Sequence, residues 1–224
     1  MIALINQVKS KQRVRDHGEV FTPDFIVNDM LNLVKNETER IESRFLEPAC
    51  GDGNFLAPIL KKKLEIVKKK YSRSQIEYER NAIMALAGLY GVELLEDNVI
   101  RCKKRLFDIF SEYYKGKFKK KAKEDFLKSA NYILDKNILW GNALTLKTAD
   151  KKNEPLIFSQ WSRFGNKITR EDYYFEELSP KDRHNLFDKN FVTSDIGTQE
   201  FDPQKIPIEY PLKHYLKLDY EDAK

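Results

Sequence analysis

The residues best placed to do chemistry are Glu47-Pro48-Ala49-Cys50-Gly51-Asp52-Gly53-Asn54-Phe55, where two glycines flank an acid between an apolar strand and a helix. Gly51 and Gly53 can take positive φ and let a ligand approach the backbone without meeting a Cβ. Asp52 sets a carboxylate beside the amides of that turn. A pyrophosphate would be repelled there, whereas a zwitterionic cofactor bearing a sulfonium tolerates or prefers a nearby negative charge. The acid therefore argues for S-adenosylmethionine over a nicotinamide dinucleotide. A lone G-x-G is weak evidence by itself, since an ordinary tight turn has the same composition.

Three further segments must position this turn. His17-Gly18-Glu19-Val20-Phe21-Thr22-Pro23 precedes a predicted amphipathic helix with Phe25, Ile26, Met30, Leu31 and Val34 on its apolar side, and Pro23 suits a first helical turn. Leu89-Tyr90-Gly91-Val92-Glu93 reads as a second buried strand ending in an acid, where a doubly wound sheet holds the carboxylate that accepts ribose hydroxyls. Asn137-Ile138-Leu139-Trp140-Gly141-Asn142-Ala143-Leu144 reads as a third strand running into a polar turn.

Taken in order, GEVFTP, EPACGDGNF, YGVEL and ILWGNAL resemble the cofactor-binding motifs of adenine-specific DNA methyltransferases of restriction-modification systems, over about residues 13 to 146. The resemblance implies an α/β chain with a Rossmann-like class I methyltransferase fold and S-adenosylmethionine as cofactor. It implies that Phe21, Thr22 and Pro23 line the methionine end and that Glu47, Cys50, Gly51, Asp52 and Gly53 form the main cradle. Phe55 would pack at the edge, Glu93 would hold the ribose, and Asn142, which is Asp in many relatives, would offer its carbonyl to the adenine amino group.

The sequence departs from that family twice. The acid expected about 20 residues after the glycine loop falls at Glu93, so residues 61 to 88 must supply an extra helical segment. Glu65, Glu77 and Glu79 are alternatives, but they sit among lysines, while Glu93 follows an apolar run. The larger departure is the missing catalytic motif, Asn or Asp followed by Pro-Pro and an aromatic; the chain has no Pro-Pro. Methylating an exocyclic amine needs two carbonyls to accept its hydrogens and an aromatic to stack on a flipped base. Glu154-Pro155 and Asp202-Pro203 are poor substitutes, lacking both the second proline and the aromatic.

Composition bounds the rest. A chain of 224 residues, 41% hydrophobic and 33% charged, can bury one sizeable core, and it contains no apolar run of membrane-spanning length. The expected location is the cytoplasm. Cys50 and Cys102 give neither a disulfide framework nor a metal spacing, and His17, His184 and His214 are far apart in sequence. Residues 61–128 hold 19 Lys or Arg against 10 Asp or Glu, an excess of nine, while the whole chain is only +5. That region is the expected DNA contact, non-specific because lysines neutralise phosphates without reading bases; a solvated helix face is the bland alternative.

The expected organisation is an N-terminal helical arm over residues 1–43, a cofactor-binding α/β domain over 44–147, and an irregular extension over 148–224. In the last, a hairpin turns around Phe164-Gly165-Asn166, and the proline-spaced tail packs on a sheet edge or on a partner chain. The methyltransferase sheet is expected to be incomplete. Three readings follow. The first is the cofactor-binding part of an adenine-specific DNA methyltransferase, either a subunit completed by a partner carrying the catalytic motif or a shortened relative. The second is an active nucleic-acid or protein methyltransferase with an unrecognised acceptor site. The third is a non-enzymatic interaction or regulatory protein that keeps the fold.

Overall fold

The computed structural model describes residues 10–17, 19–178 and 205–220. Three short helices, α1 (Lys11–His17), α2 (Asp24–Leu33) and α3 (Lys35–Thr38), lead to β1 (Phe45–Glu47). Two helices, α4 (Leu56–Tyr71) and α5 (Gln75–Ala87), then cross to β2 (Leu89–Glu93), and α6 (Glu96–Phe118) and α7 (Glu124–Asn137) cross to β3 (Ile138–Asn142). The strands pair in the order β1-β2-β3, all parallel, with Phe45 opposite Leu89 and Gly91 opposite Ile138; β4 (Lys147–Thr148) closes the β3 edge antiparallel. The protein is mixed α/β, and the C-terminal ends of its parallel strands open on one side.

Local sequence explains these elements. Ser74 caps α5 by accepting the Glu77 N–H, with Glu77 three residues on as a capping box requires. Glu96 and Asp97 begin α6 and Lys115 and Lys117 end it, matching the helix dipole. The extra segment between β1 and β2 is α5, so the long interval from the glycine turn to Glu93 is filled as the spacing predicts.

The hairpin also forms, as β5 (Ile157–Phe164) and β6 (Lys167–Tyr174). Phe164 pairs with Lys167 across a two-residue turn, and Gly165 at φ +61° supplies the left-handed position a II′ turn needs. Residues 205–220 run back along this hairpin and add β7 (Lys213–His214) to the outer edge of β6. The extension does not stand apart: Trp161, Ile168, Tyr215 and Leu218 share the core formed by α4 to α7, and Val92, Leu156, Phe158 and Phe175 join hairpin to sheet. The weakly patterned stretch from Ser179 and the Asp202-Pro203 pair lie outside the described residues.

Three expectations need correction. Only Val27 and Leu31 of α2 are buried, whereas Phe25, Ile26, Met30 and Val34 lie on its exposed side. The helix touches the body with a narrow i, i+4 stripe, so the broad apolar face read from sequence points outward. The apolar spacing predicts a helix over residues 94–114 with Leu94 in its core, but α6 begins at Glu96 and Leu94 lies half exposed in the loop before it.

Lys63, counted with the basic surface, is fully buried, donating to the carbonyls of Ile41 and Ser43 with its ammonium 5.2 Å from the Phe45 ring centroid. Burial lowers its pKa to about 7. The unfolded chain therefore binds more protons than the folded one between pH about 7 and the usual lysine value of about 10.4, and stability rises with pH through that window. Urea unfolding at closely spaced pH values should show this rise in the wild type and a flattened one in Lys63→Met; equal slopes would reject the assignment.

Candidate functional site

The loops that follow β1, β2 and β3 meet around a cleft of about 590 Å³, within the range of small-molecule sites. Phe21, Thr22, Glu47, Cys50, Gly51, Phe55, Glu93 and Asn142 all line it, so residues from four separate segments of the chain converge there. Pro23, Asp52 and Gly53 are not among its lining residues.

The glycine turn is built as a tight bend. Gly51 has φ +54° and Gly53 φ +90°. A Cβ on Gly51 would stand 3.1 Å from the Phe21 ring, and one on Gly53 would stand 3.1 Å from the Cys102 sulfur. Both glycines are required twice over, for conformation and for space. Gly91 has a similar origin within β2: a Cβ there would lie 2.8 Å from the Cys50 sulfur and 3.2 Å from Leu56. Cys50 thus fills the hollow left by Gly91. Its thiol is buried, and hydrogen bonding with Cys102 followed by burial pushes its pKa up, which keeps it protonated and unreactive. The two cysteines, unrelated by sequence spacing, are neighbours beneath the turn.

Glu93 ties the site together. One carboxylate oxygen accepts the Gly51 N–H at 2.9 Å; the other accepts the Leu95 N–H at 3.0 Å and the Asn98 amide at 3.3 Å. Asn98 also donates to Glu19 at 2.6 Å, and Glu19 is gripped by Arg13, which reaches Asp97 as well. The N-terminal arm is thereby fastened to the start of α6. Asn54 makes a second link, donating to the Thr22 carbonyl and accepting from Arg105.

Glu19 and Asn98 were missed from sequence. Glu19 stands inside the GEVFTP motif, but Asn98 is one turn into a helix and carries no local signal. Of the acids weighed for Glu93's role, Glu65 pairs with Lys68, Glu77 pairs with Arg80, and Glu79 is buried against Tyr114 and Tyr215. None of these three lines the cleft.

Two roles change in detail. The Asp52 carboxylate faces Arg105, with which it pairs at 3.3 Å, so it does not set the charge of the cleft. That charge comes from Glu47 and Glu93, because Glu19, which also lines the cleft, is held by Arg13. Glu47 forms no ion pair among the described residues, and burial raises its pKa against a long hydrogen bond from the Ala49 N–H. The carbonyl of Asn142 already accepts the N–H groups of Leu144 at 2.8 Å and Thr145 at 3.3 Å. Both its lone pairs are used in that turn, leaving the amide N–H₂ as the group free to meet a purine nitrogen.

The arrangement discriminates by charge. The cleft lining contains three carboxylates and no lysine or arginine. The Gly51 N–H is spent on Glu93 and the Gly53 N–H on the Cys50 carbonyl at 2.8 Å, so neither offers itself to a phosphate. The chain matches no protein-family model, no curated protein and no solved structure. Glu154-Pro155 lies away from the cleft, Pro155 forming a bridge with Lys147. Among the described residues no helix is long and apolar enough to cross a membrane.

Proposed function

We propose that the cleft binds S-adenosylmethionine and that the chain is the cofactor-binding part of an adenine-specific DNA methyltransferase with a Rossmann-like sheet. The observation that carries the reading is a glycine-built cleft at the C-terminal ends of parallel strands, lined by acids and lacking basic side chains. A pyrophosphate-bearing ligand would face repulsion without a compensating donor, while Glu47 and Glu93 suit the sulfonium, the ammonium and the ribose hydroxyls. In this reading Glu93 keeps its grip on the glycine turn and accepts the ribose with its remaining lone pair.

The chain needs a partner for catalysis, because it lacks a Pro-Pro-aromatic motif and because β1, the edge of its sheet, carries no further strand among the described residues. Calorimetry is expected to show S-adenosylmethionine and its demethylated product binding in the micromolar range, with a nicotinamide dinucleotide inert. Silence from both at millimolar concentration would refute the cofactor assignment. Transfer of labelled methyl to DNA by the purified chain alone would refute the need for a partner and leave the cofactor reading standing.

A further inference from the structure

The basic region divides in space. α4 and α6 both begin at the cleft, through Phe55 and through Leu95 and Asn98, and both run away from it. Their far ends meet: the Lys68 ammonium lies over the Tyr113 ring, Tyr78 at the start of α5 packs edge-on against Phe118, and the Gln75 amide donates to the Lys121 carbonyl. These contacts gather the exposed Lys68 and Lys69 of α4 with Lys117 and the Lys119–Lys121 turn, while Lys70 lies on the side of Glu39 and Glu42. Lys68 stands 12 residues beyond the start of α4 and Lys117 stands 21 beyond the start of α6, which puts this end about 18–32 Å from the cleft.

The cluster is more than a pair of solvated helix ends. Lys68 meets Glu65 only at 3.9 Å, and Lys69, Lys117, Lys119, Lys120 and Lys121 make no ion pair among the described residues. By contrast, Lys103 and Lys104, nearer the start of α6, each pair with an aspartate. Lys119 holds φ +49° with ψ −121°, a backbone conformation that glycine would occupy more cheaply. Like charges crowded on one surface repel unless a polyanion takes up the field.

We propose that this far end is an anchor for the phosphate backbone of double-stranded nucleic acid, separate from the cleft. Lysines with a single arginine, the exposed Arg73 just past α4, suit sequence-independent contact with phosphates, and the distance means that the anchor holds flanking duplex while a different stretch meets the cleft. The inference needs no bound cofactor, so it stands or falls independently of the cofactor assignment.

Fluorescence anisotropy with a labelled duplex of about two helical turns, cofactor omitted, tests it. Lys119→Gln/Lys120→Gln/Lys121→Gln and Lys68→Gln/Lys69→Gln should each weaken binding about tenfold or more at low salt and reduce the log–log salt slope by up to about 0.9 per lysine. Lys103→Gln/Lys104→Gln should change both by less than about twofold, and S-adenosylmethionine titrations should be the same in all variants. Wild-type affinity and slope in both of the first two variants would overturn the anchor. So would equal damage from the Lys103/Lys104 control, which would mean that net charge alone is responsible. Tighter capture by anionic lipid vesicles than by duplex would reassign the surface to membranes.

Discussion

Replacing Glu93 with alanine is expected to reduce S-adenosylmethionine affinity about 100-fold, the largest binding effect of any single change in the cleft. A hydrogen bond to a charged group contributes about 1.5–3 kcal/mol, and each tenfold in affinity is about 1.4 kcal/mol, so losing the ribose acceptor alone reaches most of that figure. The remainder comes from the free protein. Without Glu93 the Gly51 N–H, the Leu95 N–H and the Asn98 amide lose their acceptor, and the glycine turn is released from the end of β2. Glu93→Gln keeps one acceptor oxygen but turns an N–H₂ group toward backbone donors, so an intermediate loss of about tenfold is expected. Calorimetry on both variants, with thermal unfolding measured alongside, separates lost contact from lost structure. Affinity within twofold of wild type in both would sink the assignment of Glu93 to the cofactor.

Glu93 also shows why parts of this site were readable from sequence. An apolar five-residue run ending in an acid fixes a strand, and the parallel sheet then fixes where that acid emerges, so type and position follow from period and length. The same holds for the Gly51-Gly53 turn, whose positive φ angles are a local demand that only glycine meets cheaply. Asp52 shows where such reading stops. Its position between the glycines is local, but the direction of its side chain is decided by Arg105, 53 residues later on α6. Asn142 shows the same limit, its carbonyl being taken by the turn it starts. Lys63 is a third case: a lysine triplet on a helix reads as solvent-facing, yet helical periodicity turns its last member inward, where Ile41 and Ser43 of the α3–β1 loop offer carbonyls. For Asp52 and Lys63 the residue type was legible and the partner was not, because the partner lies on another element; for Asn142 the partner is local but the turn's shape was not written in the residue type.

The tail follows the same logic, and it carries the largest expected change in stability. Glu79 on α5 is fully buried, with Gln75 and Tyr114 donating to one oxygen and Lys123 and Tyr215 donating to the other at 2.7 Å each. Tyr215 comes from the C-terminal segment, so one carboxylate joins α5, α6, the start of α7 and the tail. Burial alone would raise the pKa of Glu79, but the hydrogen bonds from Lys123, Tyr114, Tyr215 and Gln75 outweigh it and hold the pKa below its usual value. Glu79→Ala should therefore cost about 3 kcal/mol, the low end of the range for removing one partner of a buried charged network, because it strands two buried phenols while Lys123, 40% exposed, turns to water. Tyr215→Phe removes one of four donors and should cost about 1 kcal/mol. The sign of the pH dependence is fixed by the lowered pKa. The contribution is complete above the unfolded-state value of about 4.3 and is lost as pH falls through the folded-state value. Urea unfolding at pH 7 and across the acid range should show a large loss for Glu79→Ala, a small one for Tyr215→Phe, and a shallower acid limb in Glu79→Ala than in wild type. If Glu79→Ala unfolds within about 1 kcal/mol of wild type, the carboxylate is not what holds the tail to the core.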